Sequence, residues 1–277
     1  MGTAQAPGIT GAGDDITGSD EVGARPLAAV RLGVPPPACG GERRQMTALV
    51  LAAHGSEDPR SAANARAVAD QISCMRPRLD VRVAFCELNT PRLVDVLTPD
   101  AVVTPFLLAD AYHARFDIPG QIASRGVAVR QADVLGEDDR LVSVLHERLA
   151  ELGVSTLDPQ LGVLVVAIGS THPAANARTT QVARKLIAGT RWAGTTTAFA
   201  TGSGPSAAQA ANRLRRRGAR RVVIAPWFLA PGRLTDRVAK YAAVEQIPMA
   251  APLGAHRLVA ETVVDRFDAA RADRIAA

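Results

Sequence analysis

The sequence predicts an α/β protein: two tandem, doubly wound parallel-sheet lobes produced by an internal duplication. Two observations carry that expectation. From Met46 onward, short apolar runs alternate with amphipathic helical stretches, the pattern of parallel strands with helices on both faces. Landmarks of the first half then recur in the same order. Gly55-Ser56 returns as Gly169-Ser170, and Ala62-Ala63-Asn64-Ala65-Arg66 as Ala174-Ala175-Asn176-Ala177-Arg178. Pro105 with Leu107-Leu108 returns as Pro226 with Phe228-Leu229, and Leu135-Gly136 as Leu253-Gly254. Four ordered matches argue for duplication. The lobes are expected over 46–153 and 160–277, joined near Ser155-Thr156-Leu157-Asp158-Pro159.

Taken in order, the first strand is expected at 47–53 and a helix at 59–75, with Pro59 in its first turn. A second strand follows at 81–87, and a short helix after Pro91. The third strand, 101–108, runs into a polar loop holding His113, and a helix starts near Asp117-Ile118-Pro119. A short strand at 127–131 and a helix at 138–152 close the first lobe. The second lobe opens with a strand at 161–168. Gly202-Ser203-Gly204-Pro205 reads as a turn, and no Gly-x-x-x-x-Gly-Lys phosphate loop occurs. Residues 1–45 are rich in Gly, Pro, Ala and Asp without apolar periodicity, so a disordered tail is expected there. Met46 directly precedes the first strand and is an alternative start of translation; the mass of the native protein decides this.

Composition narrows the function classes. Of 277 residues, 47% are hydrophobic and 21% charged, as in a globular protein. No apolar run reaches the ~18 residues of a membrane span, so no membrane partner is expected. Net charge is +5, and lysine occurs only at 185 and 240, so arginine carries the positive charge. This balance suits an acidic small molecule. The dense cluster Arg213, Arg215, Arg216, Arg217, Arg220 and Arg221 lacks interleaved aromatics and reads as a solvated helix end, so nucleic acid is not expected. Cys39, Cys74 and Cys86 make neither a disulfide framework nor a zinc knuckle. A reducing cytoplasm fits that usage.

The chemistry concentrates in the first lobe. His54, Glu87 and His113 stand at or just past the ends of the first three strands, where open parallel sheets bind ligands. Two imidazoles and a carboxylate can bind a borderline divalent metal or act as general bases. The second lobe is an internal control: Ile168 replaces His54, 199–201 offers no carboxylate opposite Glu87, and Leu234 replaces His113. Duplication kept the scaffold and not the titratable groups, which marks the first lobe as the reacting one. Asp117 is either the N-cap of the helix containing Pro119 or the partner that orients His113. Ser56 and Asn64 read as turn and helix positions able to bind a substrate carboxylate. His146 and His256 read as surface or packing residues, and His172 as a weaker cleft candidate.

These residues carry a resemblance. His54-Gly55-Ser56 with Pro59 and Asn64, Phe85-x-Glu87 with Pro91, and Pro105-x-Leu107-Leu108 leading to His113-x-x-x-Asp117-Ile118-Pro119 are similar to the sirohydrochlorin chelatase family. These are class II, ATP-independent tetrapyrrole chelatases, which include the cobalt chelatases of cobalamin synthesis. The resemblance spans nearly all of 46–277, as a two-lobe form. The sequence departs from the pattern at Asp110-Ala111, where a glycine usually precedes the histidine.

The resemblance implies that His54 and His113 are the metal-binding and catalytic pair, assisted by Glu87. It implies that sirohydrochlorin, an acidic tetrapyrrole, lies between the lobes, with Ser56, Asn64 and Asp117 contributing to its binding site and arginines on the rim. The metal is a substrate, iron(II) first and cobalt(II) as the alternative, and no nucleotide is needed. A non-enzymatic metal or tetrapyrrole carrier is the alternative of another class. Metal binding needs neutral imidazole, so activity is expected to fall on acidification. A monomer is expected, because two lobes supply both sides of the cleft.

Overall fold

The computed structural model describes residues 47–202 and 204–276. The tail expected over 1–45, Met46, Cys39 and Ser203 lie outside them. The first lobe contains β1 (Leu49–Ala53), α1 (Pro59–Met75), β2 (Val81–Phe85), α2 (Leu93–Val96), β3 (Val102–Pro105), a π-helical turn (His113–Asp117), α3 (Ile118–Arg125), β4 (Arg130–Gln131) and α4 (Asp139–Glu151). The second contains β5 (Leu161–Ala167), α5 (Pro173–Leu186), β6 (Gly194–Phe199), α6 (Ala207–Arg216), β7 (Arg221–Trp227), α7 (Arg233–Val244) and α8 (Arg257–Ala276).

Both sheets are parallel, in the orders β2-β1-β3-β4 and β6-β5-β7. Every residue of β1 and β5 is buried, because central parallel strands are covered on both faces and must be apolar throughout. The register confirms the duplication. Ala52 pairs with Pro105 in one sheet and Val166 with Pro226 in the other. Val103 stands opposite Gln131 in β4, and its counterpart Ile224 bridges to Met249.

Helix starts follow local chemistry. The Asp58 carboxylate accepts the Arg60 N–H at 3.0 Å ahead of Pro59 in α1, and Asp138 accepts the Arg140 N–H at 3.0 Å ahead of α4. Both satisfy amides that the first turn leaves without an intrahelical acceptor. Ser206 and Gln209 form a capping box at α6. The exposed Arg213, Arg215 and Arg216 occupy the last turn of that helix, where the helix dipole favours cations.

Three expectations are corrected. The polar loop expected around His113 is a helical turn, from which α3 continues without a break. Asp117, one of the readings for which was an N-cap, has helical dihedrals (φ −67°, ψ −51°) and makes no capping hydrogen bond. Strands also stop earlier than expected, β3 at Pro105 rather than 108.

The two sequence halves also exchange their last helices. Helix α8 packs on α1 and on β3 of the first sheet, whereas α4 packs on α5 and on β7 of the second. One core therefore joins the halves, containing Leu49, Val68, Leu145, Val165, Trp227 and Phe267. Smaller cores lie on the outer faces, one under α2 and α3 and one under α6 and α7. No helix among the described residues is long and apolar enough to cross a membrane.

Candidate active site

The site begins at the exit of β1. Cys86 N–H donates to the Ala53 carbonyl at 2.9 Å and Glu87 N–H to the His54 carbonyl at 3.0 Å, so β1 and β2 stay zipped past their formal ends. Gly55 then turns the chain with φ +101°. A Cβ there would stand 1.8 Å from the Glu87 carbonyl oxygen, so no side chain fits. This contact fixes His54 beside Glu87, with His54 Nδ1 3.4 Å from Glu87 Oε1. The Asn89 carboxamide oxygen accepts the Ser56 N–H at 2.7 Å and holds the far side of the turn.

His113 enters from the π-helical turn beyond β3. Its ring meets that of His54 edge to face, with centroids 4.0 Å apart and planes at 76°. Asp117, four residues on, contacts His113 Nδ1. Nδ1 of each imidazole thus has an oxygen partner, and neither Nε2 takes a hydrogen bond from the described residues. An oxygen acceptor at Nδ1 holds the proton there and leaves the Nε2 lone pair available to a metal or proton. His54 and His113 are 36% and 39% exposed and Glu87 55%, so all three are open to a solute.

The structure therefore brings together His54, Glu87, His113 and Asp117. Among the described residues no group of three or more His, Cys, Asp or Glu side chains is arranged to hold a metal ion, so the expected pair His54 and His113 is not joined by Glu87 in a closed coordination set. Ser56 lies in the adjoining turn, where its hydroxyl accepts the Asp58 N–H at 3.0 Å. Asn64 is placed differently from the substrate contact expected of it. It is buried, and its amide donates to the Leu229 carbonyl at 3.0 Å, linking α1 to the second lobe. Cys86 lies close enough to Asp117 and Glu87 to feel both charges, and burial together with those carboxylates pushes its thiol up to about 11. It is therefore a neutral thiol at physiological pH. His146 stacks on Trp192, and burial lowers its pKa. His256 pairs with Glu147 at 3.0 Å. His172 precedes α5 without capping it.

Between the lobes, one turn from His113, lies a cavity of about 890 Å³ bordered by Asp110, Ala114 and Gln131 and by Arg178 and Lys185 of α5. The basic side chains at this cavity are already paired. Arg178 stands 3.4 Å from Glu137, Lys185 2.7 Å from Asp139 and Arg266 3.0 Å from Asp138. On the other flank, Arg60 joins Asp236 and Arg233 joins Glu57, each at 2.5 Å. These pairs fasten the two sequence halves to each other.

Sequence reasoning missed Asn89, Gln121 and Gln131. Gln121 of α3 donates to the Cys86 carbonyl at 3.1 Å, and Gln131 of β4 donates to the Ala114 carbonyl at 2.7 Å. Comparison of the repeats could have found Gln131, because Met249 holds its position in the second lobe.

Comparison with known proteins agrees with this fold. A sirohydrochlorin ferrochelatase of Priestia megaterium is 26% identical over 208 residues, covering 70% of this chain and 77% of the relative. A sirohydrochlorin cobaltochelatase of the same organism is 28% identical over 211 residues, covering 70% and 67%. Among solved structures, SirB from Bacillus subtilis with Fe3+ superposes with a TM-score of 0.72 at 20% identity, covering 83% of this chain and 98% of that one. CbiX from denitrifying bacteria gives 0.62 at 22% identity, covering 81% and 99%. The CbiX family model matches twice, over residues 48–152 and 162–270, one copy per sequence repeat. With the family model matched over both halves, the chain belongs to the CbiX family.

Proposed function

We propose that this protein inserts a divalent metal ion, iron(II) or alternatively cobalt(II), into sirohydrochlorin without using ATP. The observation that carries the reading is the edge-to-face pair His54–His113, with Nδ1 of each ring next to an oxygen and Nε2 without a partner among the described residues. Insertion replaces two pyrrole N–H protons by one M2+, so the site must deliver a cation and take up two protons. A neutral imidazole does either task through Nε2. Asp117 holds the His113 ring in orientation and stabilises it once charged. Glu87 compensates positive charge beside His54. An incomplete ligand set suits a metal that must leave again, because a closed tetrahedral or octahedral shell would retain it. The named relatives include both a ferrochelatase and a cobaltochelatase, and both metals accept imidazole ligands.

We place the macrocycle over the histidine pair, at the cleft between the lobes, with the protein acting as a monomer in a reducing cytoplasm. Anaerobic absorption spectroscopy of sirohydrochlorin with iron(II) or cobalt(II) tests this reading. The wild type is expected to speed the spectral change of insertion and His113→Ala to lose that acceleration. Equal rates in the two proteins would remove His113 from the mechanism.

A further inference from the structure

We infer that Gln131 is the positioning residue that keeps His113 in register with His54, by supplying a hydrogen-bond donor that Pro119 cannot. The argument starts from backbone bookkeeping. In the turn His113–Asp117 the Ile118 N–H donates to the His113 carbonyl, five residues back. The same spacing assigns the next carbonyl, that of Ala114, to residue 119. Residue 119 is proline and has no N–H. The Ile118 N–H, which an ordinary α-helix would give to Ala114, is already used. Ala114 is buried, so its carbonyl would be left with an unmet acceptor, which is costly.

Gln131 fills the gap. It reaches from β4 and donates its amide N–H to the Ala114 carbonyl at 2.7 Å. Only the NH2 side of the amide can face a carbonyl, so its orientation is fixed by chemistry. The other side, Oε1, is buried without a partner among the described residues, so the amide is held by its donor side alone. The π-helical spacing sets one extra residue per turn. That spacing presents His113 to His54 at 4.0 Å and lets Asp117 reach His113 Nδ1.

The second lobe supports the assignment by having lost all the parts together. There the corresponding helix, α7, is an ordinary α-helix from Arg233 to Val244. Leu234 stands for His113, Val238 for Asp117, Lys240 for Pro119 and Met249 for Gln131. With an N–H restored at residue 240, no external donor is needed, and Met249 offers none. Proline, glutamine, histidine and π-spacing therefore form one device.

The kinetic arm of the test rests on the proposed function, whereas the spectroscopic arm does not. Gln131→Glu keeps the side-chain size and removes the N–H donor. The expected result is a shift of the His113 imidazole signals in 1H–15N spectra, a fall in kcat of about 10- to 100-fold and a KM for sirohydrochlorin within about twofold. Adding Pro119→Ala, which restores a backbone N–H, is expected to return both the signals and kcat toward wild type. A purely structural role would not give that rescue, because the two changes would then add. Should Gln131→Glu not fold, the same spectra are read on Gln131→Met, which installs the second lobe's residue. Unchanged imidazole signals, or costs that add in the double variant, overturn the inference. Shifted and rescued signals in a protein whose wild type inserts no metal would uphold the positioning role and sink the proposed function.

Discussion

The two lobes share a frame and differ in what stands on it. Both strand-end glycines press on a carbonyl. A Cβ at Gly55 would lie 1.8 Å from the Glu87 oxygen, and one at Gly169 would lie 1.8 Å from the Thr201 oxygen. In each lobe a phenylalanine ends the second strand with its N–H donating to a proline carbonyl, Phe85 to Pro91 and Phe199 to Pro205, both at 3.0 Å. An asparagine oxygen accepts the serine amide of each turn, although Asn89 does so for Ser56 and Asn176 for Ser170. Over this frame His54 corresponds to Ile168, Glu87 to Thr201, His113 to Leu234 and Cys86 to Ala200. Even the helix carrying the third position differs, π-spaced at its start in one lobe and α-helical in the other. The shared residues build the turns, and the unshared ones include His54, Glu87 and His113 of the proposed site.

That division can be broken by experiment. The largest expected effect is His113→Ala, which should lower the insertion rate by about 10²- to 10⁴-fold, the range for losing a general base, in the anaerobic assay. Asp117→Asn should cost about 10- to 100-fold, as for other partners that orient an imidazole, while the thermal midpoint stays near that of wild type. Rate losses of equal size on replacing Val238, its counterpart, would erase the distinction between the lobes.

Gly55→Ala and Gly169→Ala should both destabilise by about 1–3 kcal/mol, because each forces a methyl into a backbone oxygen. Thermal unfolding measures that shared cost, and only the Gly55 change should also slow metal insertion. Leu234→Ala should cost about 1–2 kcal/mol, below the range for a fully buried leucine because Leu234 is only partly buried against the α6–α7 core. Its insertion rate should stay within about twofold of wild type.

The smallest effect concerns Cys86. Burial and the nearby Asp117 and Glu87 push its thiol up to about 11. A raised thiol pKa keeps the proton on sulfur through neutral and mildly alkaline pH, so alkylation should be slow there and accelerate only as pH approaches that value. Mass spectrometry after iodoacetamide treatment across pH measures this. Rapid labelling at neutral pH would show a thiolate and make Cys86 a candidate metal ligand.

Much of this protein was legible in the chain itself. Apolar period and capping residues are local, so helix 59–75 was placed to the residue and the parallel lobes followed from strand-helix alternation. The repeat singled out His54, Glu87 and His113 without other sequences, because a duplicated scaffold exposes what it no longer needs. Contacts between distant residues were not legible. Asn64 looked like a ligand-facing polar residue until the packing of α1 against the second lobe gave its amide the Leu229 carbonyl. Asp117 had two readings until the turn proved helical and the side chain reached His113. The exchange of α4 and α8 was hidden as well, since an apolar helix face specifies that it will be buried and not against which sheet. The sequence by itself determined the elements and the duplication and singled out the candidate residue types, all of which depend on near neighbours in the chain. Only the tertiary structure decided which imidazole nitrogen is free and which donor serves Ala114, because hydrogen-bond partners far apart in sequence are chosen by the packing that brings them together.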